Sequence, residues 1–512
     1  MSISLIKEQL RKNGIFERVF DQIEDQKKLT LKKSIGALNS FLLNALSNKK
    51  ENVLVISETD EGARFLKADL DVISNEKAVV LYPSSNRKPY DQQQLKDTSL
   101  LVQRSEALQS IADHNSKIVI TSVEAIGEKI APPSTLNEVS LVLEKGQEVD
   151  LDKFKEQLVE QGYNPVKFVD EPGEFAVRGG ILDIFPFSGE YPLRLEFFGD
   201  ELDTIREFDA DSQRSIAFLN QARIIPDLTN LPETQKSSFL SYFDENTLLV
   251  TSNKDLIITE VGKRYEKAEE AFEDHSDNEN QLLPEELYLS EQVFEEELSK
   301  FTHQLFVANV GASEKDESTI TLETKPQPDF HGNFKLLREN ITKNSSNGLN
   351  TIILCDNDGQ RDRFEELLGE ASQEFKYLLV VESLHEGFIY EPAKLAVYTD
   401  HQIFNRYHRP KTKRRRFHGG ISFKELKDLS IGDYVVHVDY GIGKFRGFKK
   451  INVKNTEQEV VVLQYKDDST LYVNVSSLHK LQKYSGKEGT APRITKLGSG
   501  AWARKKAQTK KK

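Results

Sequence analysis

Residues 171–216 read EPGEFAVRGGILDIFPFSGEYPLRLEFFGDELDTIREFDADSQRSI, and the alternation within this stretch decides the fold around it. Glu174–Arg178 and Ile181–Phe185 are β-rich runs joined by Gly179 and Gly180, the pair suited to a primed two-residue hairpin turn. After Pro186 a third run, Leu193 to Phe198, alternates cleanly. Strand side chains point to opposite faces in turn, so Leu193, Leu195 and Phe197 share one side while Arg194, Glu196 and Phe198 share the other. With the leucine side as core, Phe198 is displayed beside an arginine, a usual make-up of a binding hot spot. The competing expectation is a neighbouring element that covers Phe198 and sandwiches the sheet.

Working outward, a chain of 512 residues is too long for one hydrophobic core, and roughly three to five domains are expected. No apolar run approaches the ~18 residues that span a bilayer, and MSISLIKEQLRKNGIF at the start has no secretory core, which predicts a cytoplasmic protein without a membrane partner. Cys355 is the only cysteine, which excludes intramolecular disulfides and multi-cysteine zinc sites and suits a reducing compartment. A net charge of −13 argues against wrapping of nucleic acid by the whole chain. Locally, however, Arg406, Arg409, Lys411, Lys413, Arg414, Arg415 and Arg416 form a basic run with no acid. It reads either as a DNA contact or as a tether kept extended by self-repulsion. The chain ends RKKAQTKKK, inside a basic, helix-compatible run rather than at a finished terminus.

The fold class expected is α/β multidomain. Leu29–Leu31, Asn52–Ser57, Ala78–Tyr82 and Lys117–Thr121 are short apolar runs separated by amphipathic segments, the spacing of a parallel α/β sheet over residues 1–129. An α+β insert follows over 130–215, and mixed α/β structure returns over 216–345. A nucleotide would bind at the first strand-to-helix turn, but Ser34 to Ser40 holds one glycine and no Gly-Lys-Thr or Gly-Lys-Ser, so phosphate ligands are missing. The acidic run Glu266, Glu269, Glu270, Glu273 and Asp274 reads as a solvated helix face, and no metal site is expected.

A second α/β domain is expected over 346–405, with Cys355 as a small buried hydrophobe and His385 and His401 without evident partners. The basic linker occupies 406–428 and a basic tail 487–512. Between them, residues 429–486 carry four or five short strands with glycine turns, the pattern of an SH3-like or Tudor-like small β-barrel. Such a module recognises partners by strand addition at an open edge. Val460 to Leu463 is either that edge or the most buried strand.

EPGEFAVRGGILDIFP, LRLEFFGDELD and FDADSQRS resemble the module that the bacterial transcription-repair coupling factors (Mfd) share with the excision-repair protein UvrB. GDYVVHVDYGIGKFRG, with LYVNVSSLH and KLGSGAW, is similar to the RNA polymerase-interacting domain of the same family. The resemblance covers essentially the whole chain and corresponds to the family's N-terminal half. It implies a UvrB-like α/β domain split around an inserted UvrA-binding domain, a divergent α/β domain, then the polymerase-binding barrel. It further implies UvrA contact through Arg178, Arg194 and Phe198, and contact with the polymerase β subunit through Glu459, Val460, Val461, Val462 and Leu463. Family members continue into an ATP-driven double-stranded DNA translocase, so ATP and magnesium are expected only for that motor and no cofactor for these residues. The expected function is a monomeric adaptor in transcription-coupled nucleotide excision repair. The alternative is a nucleic-acid-binding remodelling enzyme with a cryptic nucleotide site.

Overall fold

The computed structural model describes residues 3–407 except 51, 75–78, 87–88, 91–97, 114–117, 170, 211–212, 229–235, 275–281, 309–317 and 370–374. Beyond them it describes residues 429, 431–437, 440–453, 456–474, 481–483 and 494–496. Arg409, Lys411, Lys413, Arg414, Arg415 and Arg416, and the basic tail, lie outside these residues. Two compact units divide the chain, the first covering nearly all of residues 1–412 and the second Lys413–Lys512.

After two helices (Ser4–Asn13 and Ile15–Gln26), the first unit continues with β1 (Lys28–Lys32), α1 (Leu38–Leu46), β2 (Val53–Ser57), α2 (Asp60–Ile73), β3 (Val79–Tyr82) and β4 (Ile118–Ser122). Val53 and Val55 enter one hydrophobic core while Leu54 and Ile56 enter another, which is why this strand is apolar at successive positions rather than alternating. Thr59 caps α2 by accepting from the Gly62 N–H at 3.0 Å, and Asp60 and Glu61 occupy its positive first turn.

The chain then leaves this sheet through α3 (Leu151–Glu160), followed by β5 (Asn164–Pro165), β6 (Glu174–Arg178), β7 (Ile181–Ile184), β8 (Leu193–Phe198), β9 (Glu201–Phe208) and β10 (Ser215–Leu219). These strands form a separate sheet in the order β10-β9-β8-β7-β6-β5. Leu182, Ile184, Leu193, Leu195 and Ile205 pack on Phe154 and Leu158 of α3, so the helix covers one face of the sheet. The chain returns through β11 (Leu248–Thr251), β12 (His303–Ala308) and β13 (Thr319–Thr321), completing the first sheet as β13-β1-β12-β11-β2-β4-β3, parallel throughout.

A further sheet holds β14 (Lys325–Pro326), β15 (Asn350–Leu354), β16 (Tyr377–Val380), β17 (Phe388–Tyr390) and β18 (Leu395–Thr399) in the order β14-β17-β18-β15-β16. Here β15 is parallel to both neighbours, and β17 is antiparallel to β18. Its link to the first sheet runs through the turn after β1. Ala37 at the start of α1 donates its N–H to the Glu386 carbonyl at 3.1 Å, and the Ile35 N–H donates to Thr324 Oγ1 at 2.9 Å. Gly36 has φ +63°, and a Cβ on it would stand 2.4 Å from the Gly387 carbonyl oxygen. Backbone of residues 386–387, immediately before β17, therefore sits where a nucleotide phosphate would bind to such a turn.

Asp69 of α2 completes the contact. Its carboxylate accepts from the His385 N–H at 2.6 Å and from the Ser40 hydroxyl at 3.2 Å, while Phe65 stacks on the His385 ring with centroids 3.6 Å apart. His401 Nε2 lies 2.7 Å from the His385 carbonyl oxygen. Both histidines thus have partners that the sequence reading did not find, because those partners are backbone groups and residues more than 300 positions away.

The second unit contains β19 (Tyr434–His437), β20 (Gly441–Val453), β21 (Thr456–Gln464), β22 (Thr470–Asn474) and β23 (Leu481–Lys483). They form an antiparallel ladder in the order β22-β21-β20-β19-β23. Thr495 lies beside it, exchanging hydrogen bonds with Ile442 at 2.9 Å and accepting from the Lys466 N–H at 3.1 Å. Among the described residues the expected barrel is an open five-stranded sheet.

Burial pushes the Asp69 carboxyl up to about 7, overriding the lowering effect of the His385 N–H and Ser40, with Glu386 raising it further and His401 opposing. Since this value lies above the ordinary 3.8, the folded state holds a proton that the unfolded chain has released, and stability falls as pH rises through that window. Asp69→Asn mimics the protonated form. Its melting temperature relative to the parent should therefore rise from about pH 4 to about pH 7 and level off above, as measured by parallel thermal melts.

Candidate partner-docking faces

The face of the six-stranded sheet turned away from α3 is organised by strand register. Ala176, Asp183, Arg194, Arg206 and Phe218 stand side by side across β6, β7, β8, β9 and β10. Asp183 is only 1% exposed, and its burial requires positive partners. Arg194 supplies two bonds, from Nε to Oδ1 at 2.6 Å and from Nη2 to Oδ2 at 2.8 Å, and Arg178 donates from Nη2 to the same Oδ2. Arg194 also donates to Gln213 at 2.8 Å and lies over the Phe208 ring at 4.3 Å. Hydrogen bonding to Asp183 holds the Arg194 guanidinium above its ordinary pKa, against its partial burial. One strand position along, Glu196 accepts from Arg206 and, at 2.8 Å, from the Thr204 hydroxyl.

Phe198 stands at the end of this face, 84% exposed; of the two readings left open by the alternation, the uncovered one holds among the described residues. The hairpin glycines explain its position. Gly179 has φ +61°, and a Cβ on Gly180 would come within 2.8 Å of the Phe197 carbonyl oxygen, where the register of β8 shifts after Glu196. Phe197 turns inward onto the core and Phe198 outward.

The structure thus joins Arg178 to Arg194 through one carboxylate and leaves Phe198 bare. The sequence reading missed Asp183, although an aspartate between Leu182 and Ile184 in a strand is itself a signal. It also missed Phe168, whose ring lies 5.0 Å from the Arg178 guanidinium carbon, and the exposed Ile216 and Phe218 of β10.

In the second unit, the edge reading of Glu459 to Leu463 is overturned. β21 pairs with β20 on one side and β22 on the other, and Val460, Val461 and Leu463 are buried in the small core. Over Val460–Gln464 the strand has a neighbour on both flanks, so these residues offer no free backbone row for strand addition. The open ends of the ladder are β22 and β23, and Tyr472 of β22 is 47% exposed beside Lys449.

Residues 141–229 match the family model described as the UvrB interaction domain, and residues 429–485 match that of the CarD-like/TRCF RID domain. Over 97% of its length the chain is 26% identical to a transcription-repair-coupling factor of Bacillus subtilis, of which it covers 48%. The chain is similar to the transcription-repair coupling factors. It is also 25% identical to one from Haemophilus influenzae, over 93% of this chain and 47% of that one. It spans about half the length of the curated relatives it matches. Both faces described above fall within the matched domains.

Elsewhere, Asp356, Asp400 and His401 converge at the C-terminal ends of β15 and β18. Arg406, the one residue of the basic run that is described, bonds Asp400 at 3.1 Å, and Ser383 donates to Asp356 at 2.6 Å. Arg406 is therefore engaged with its own domain.

Removing the Asp183 carboxylate leaves Arg194 largely buried without its counter-charge. Asp183→Ala should destabilise the insert by about 3 kcal/mol or more in urea unfolding, and Arg178→Ala, at a half-exposed position, by about 1 kcal/mol or less.

Proposed function

We propose that this chain is an adaptor in transcription-coupled nucleotide excision repair. The outer face of the six-stranded sheet recruits UvrA, and the second unit docks on RNA polymerase through its β subunit. The observation that carries the reading is Phe198, bare on the uncovered face of a domain that matches the UvrB interaction model. Support for the polymerase arm comes from the match of residues 429–485 to the RID model and from full-length relatives named for coupling transcription to repair.

In this reading Phe198 is an anchor that enters the partner, while Arg178 and Arg194 hold the face in shape and offer their outer edges to it. The polymerase contact falls on the β22 edge, where a partner strand can still add, with Tyr472 as its side-chain anchor. The small sheet acts as a barrel-like recognition module, and the protein works as a cytoplasmic monomer. Double-stranded DNA, ATP and magnesium are left to the family's translocase activity, to which no described residue is assigned. The alternative, an enzyme with a cryptic nucleotide site, is disfavoured by the Ala37 amide and the Gly36 turn, which are engaged by backbone of residues 386–387.

Phe198→Ala should lower UvrA affinity by about 30-fold, or about 2 kcal/mol, with an unchanged melting temperature. Wild-type affinity in that titration would remove the face from the site. Tyr472→Ala should weaken polymerase binding roughly tenfold and leave UvrA binding intact. Equal loss of both would point to misfolding. Nucleotide binding at the Ser34–Ser40 turn would favour the enzyme reading.

A further inference from the structure

Among the described residues, the three phenylalanines more than 60% exposed are Phe168, Phe198 and Phe218, at 64%, 84% and 71%. All three belong to the domain over residues 141–229, and all three relate to the same sheet face. Phe218 shares the cross-strand row of Arg194 and Arg206. Phe198 stands four residues along β8 from Arg194, and Phe168 lies against Arg178 at the other side of the sheet. Single exposed aromatics are ordinary, but three on one face of one small domain form a patch of the kind that marks an interaction site.

Most of the charge between the rings is paired internally, and one positive charge is left over. Arg178 and Arg194 share Asp183, and Arg206 is paired with Glu196. A partner can therefore answer at most one uncompensated positive charge there, and it gains most by giving the rings apolar clefts.

We infer that UvrA is met by a three-phenylalanine footprint, Phe168, Phe198 and Phe218, and that apolar contact rather than ion pairing sets the affinity. This rests on the UvrA reading above and extends the contact across the whole sheet, from the β5 side to the β10 edge.

The test uses the full chain and purified UvrA, titrated at about 50 mM and 300 mM salt, with Phe168→Ser, Phe218→Ser and Phe198→Ala. Because these side chains face solvent, melting temperatures should stay at the parent value. Phe168→Ser and Phe218→Ser should each weaken binding tenfold or more, and parent affinity should change less than threefold between the two salts. Loss with Phe198→Ala alone would overturn the footprint while leaving the UvrA reading in place. Failure of the parent chain to bind UvrA would sink both. A steep salt dependence would overturn the apolar assignment. Light scattering gives the last outcome: a parent dimer that becomes monomeric in the serine variants, with UvrA affinity unchanged, would assign the rings to a second copy of this chain instead.

Discussion

The Asp183 carboxylate, buried in the middle of a sheet face, sets what that face can be. A buried carboxylate is tolerated only with positive, well-aimed partners, and Arg178 and Arg194 converge on it from both neighbouring strands. Their convergence fixes two long side chains that would otherwise sample many rotamers, and it offsets one of their two positive charges. What remains for a partner is the part of the face that the ion pairs do not occupy, which is aromatic. The face thus combines fixed arginines, one of them uncompensated, with exposed aromatic rings, because one carboxylate had to be satisfied.

A similar economy of groups governs the junction between the two α/β sheets of the first unit. Helix N-terminal amides need acceptors, and in a nucleotide-binding protein phosphate oxygens provide them. Here the Glu386 carbonyl does so, and Gly36 permits the close approach of Gly387 that brings it there. Asp69 and His385 extend the contact along α2, so the turn that lacks phosphate-binding residues is the joint between the two sheets.

In the second unit, the apolar continuity of EVVVLQY is explained by position in the ladder. Val461, Leu463 and Tyr465 of this stretch are buried and Val462 and Gln464 half-buried, so little of it meets water, whereas β22 at the end of the ladder keeps the exposed Tyr472. An open edge and a central strand can carry the same residues, since β-propensity reports burial rather than neighbours.

Period-two alternation by itself placed Arg194 and Phe198 on one face, because side-chain direction in a strand is a local property of the backbone. The apolar runs likewise marked the strands of the parallel sheet, and Gly179–Gly180 marked the hairpin. Strand neighbours, by contrast, are set by pairing between distant segments, which no local pattern encodes. Hence the reading of Val460 to Leu463 as an edge failed, and the partners of His385 went unseen. The pairing of Arg178 with Arg194 through Asp183, and the arrival of Phe168 and Phe218 beside Phe198, also needed the assembled sheet. Sequence fixes which way each side chain points; only the closed register of six strands decides what stands next to it.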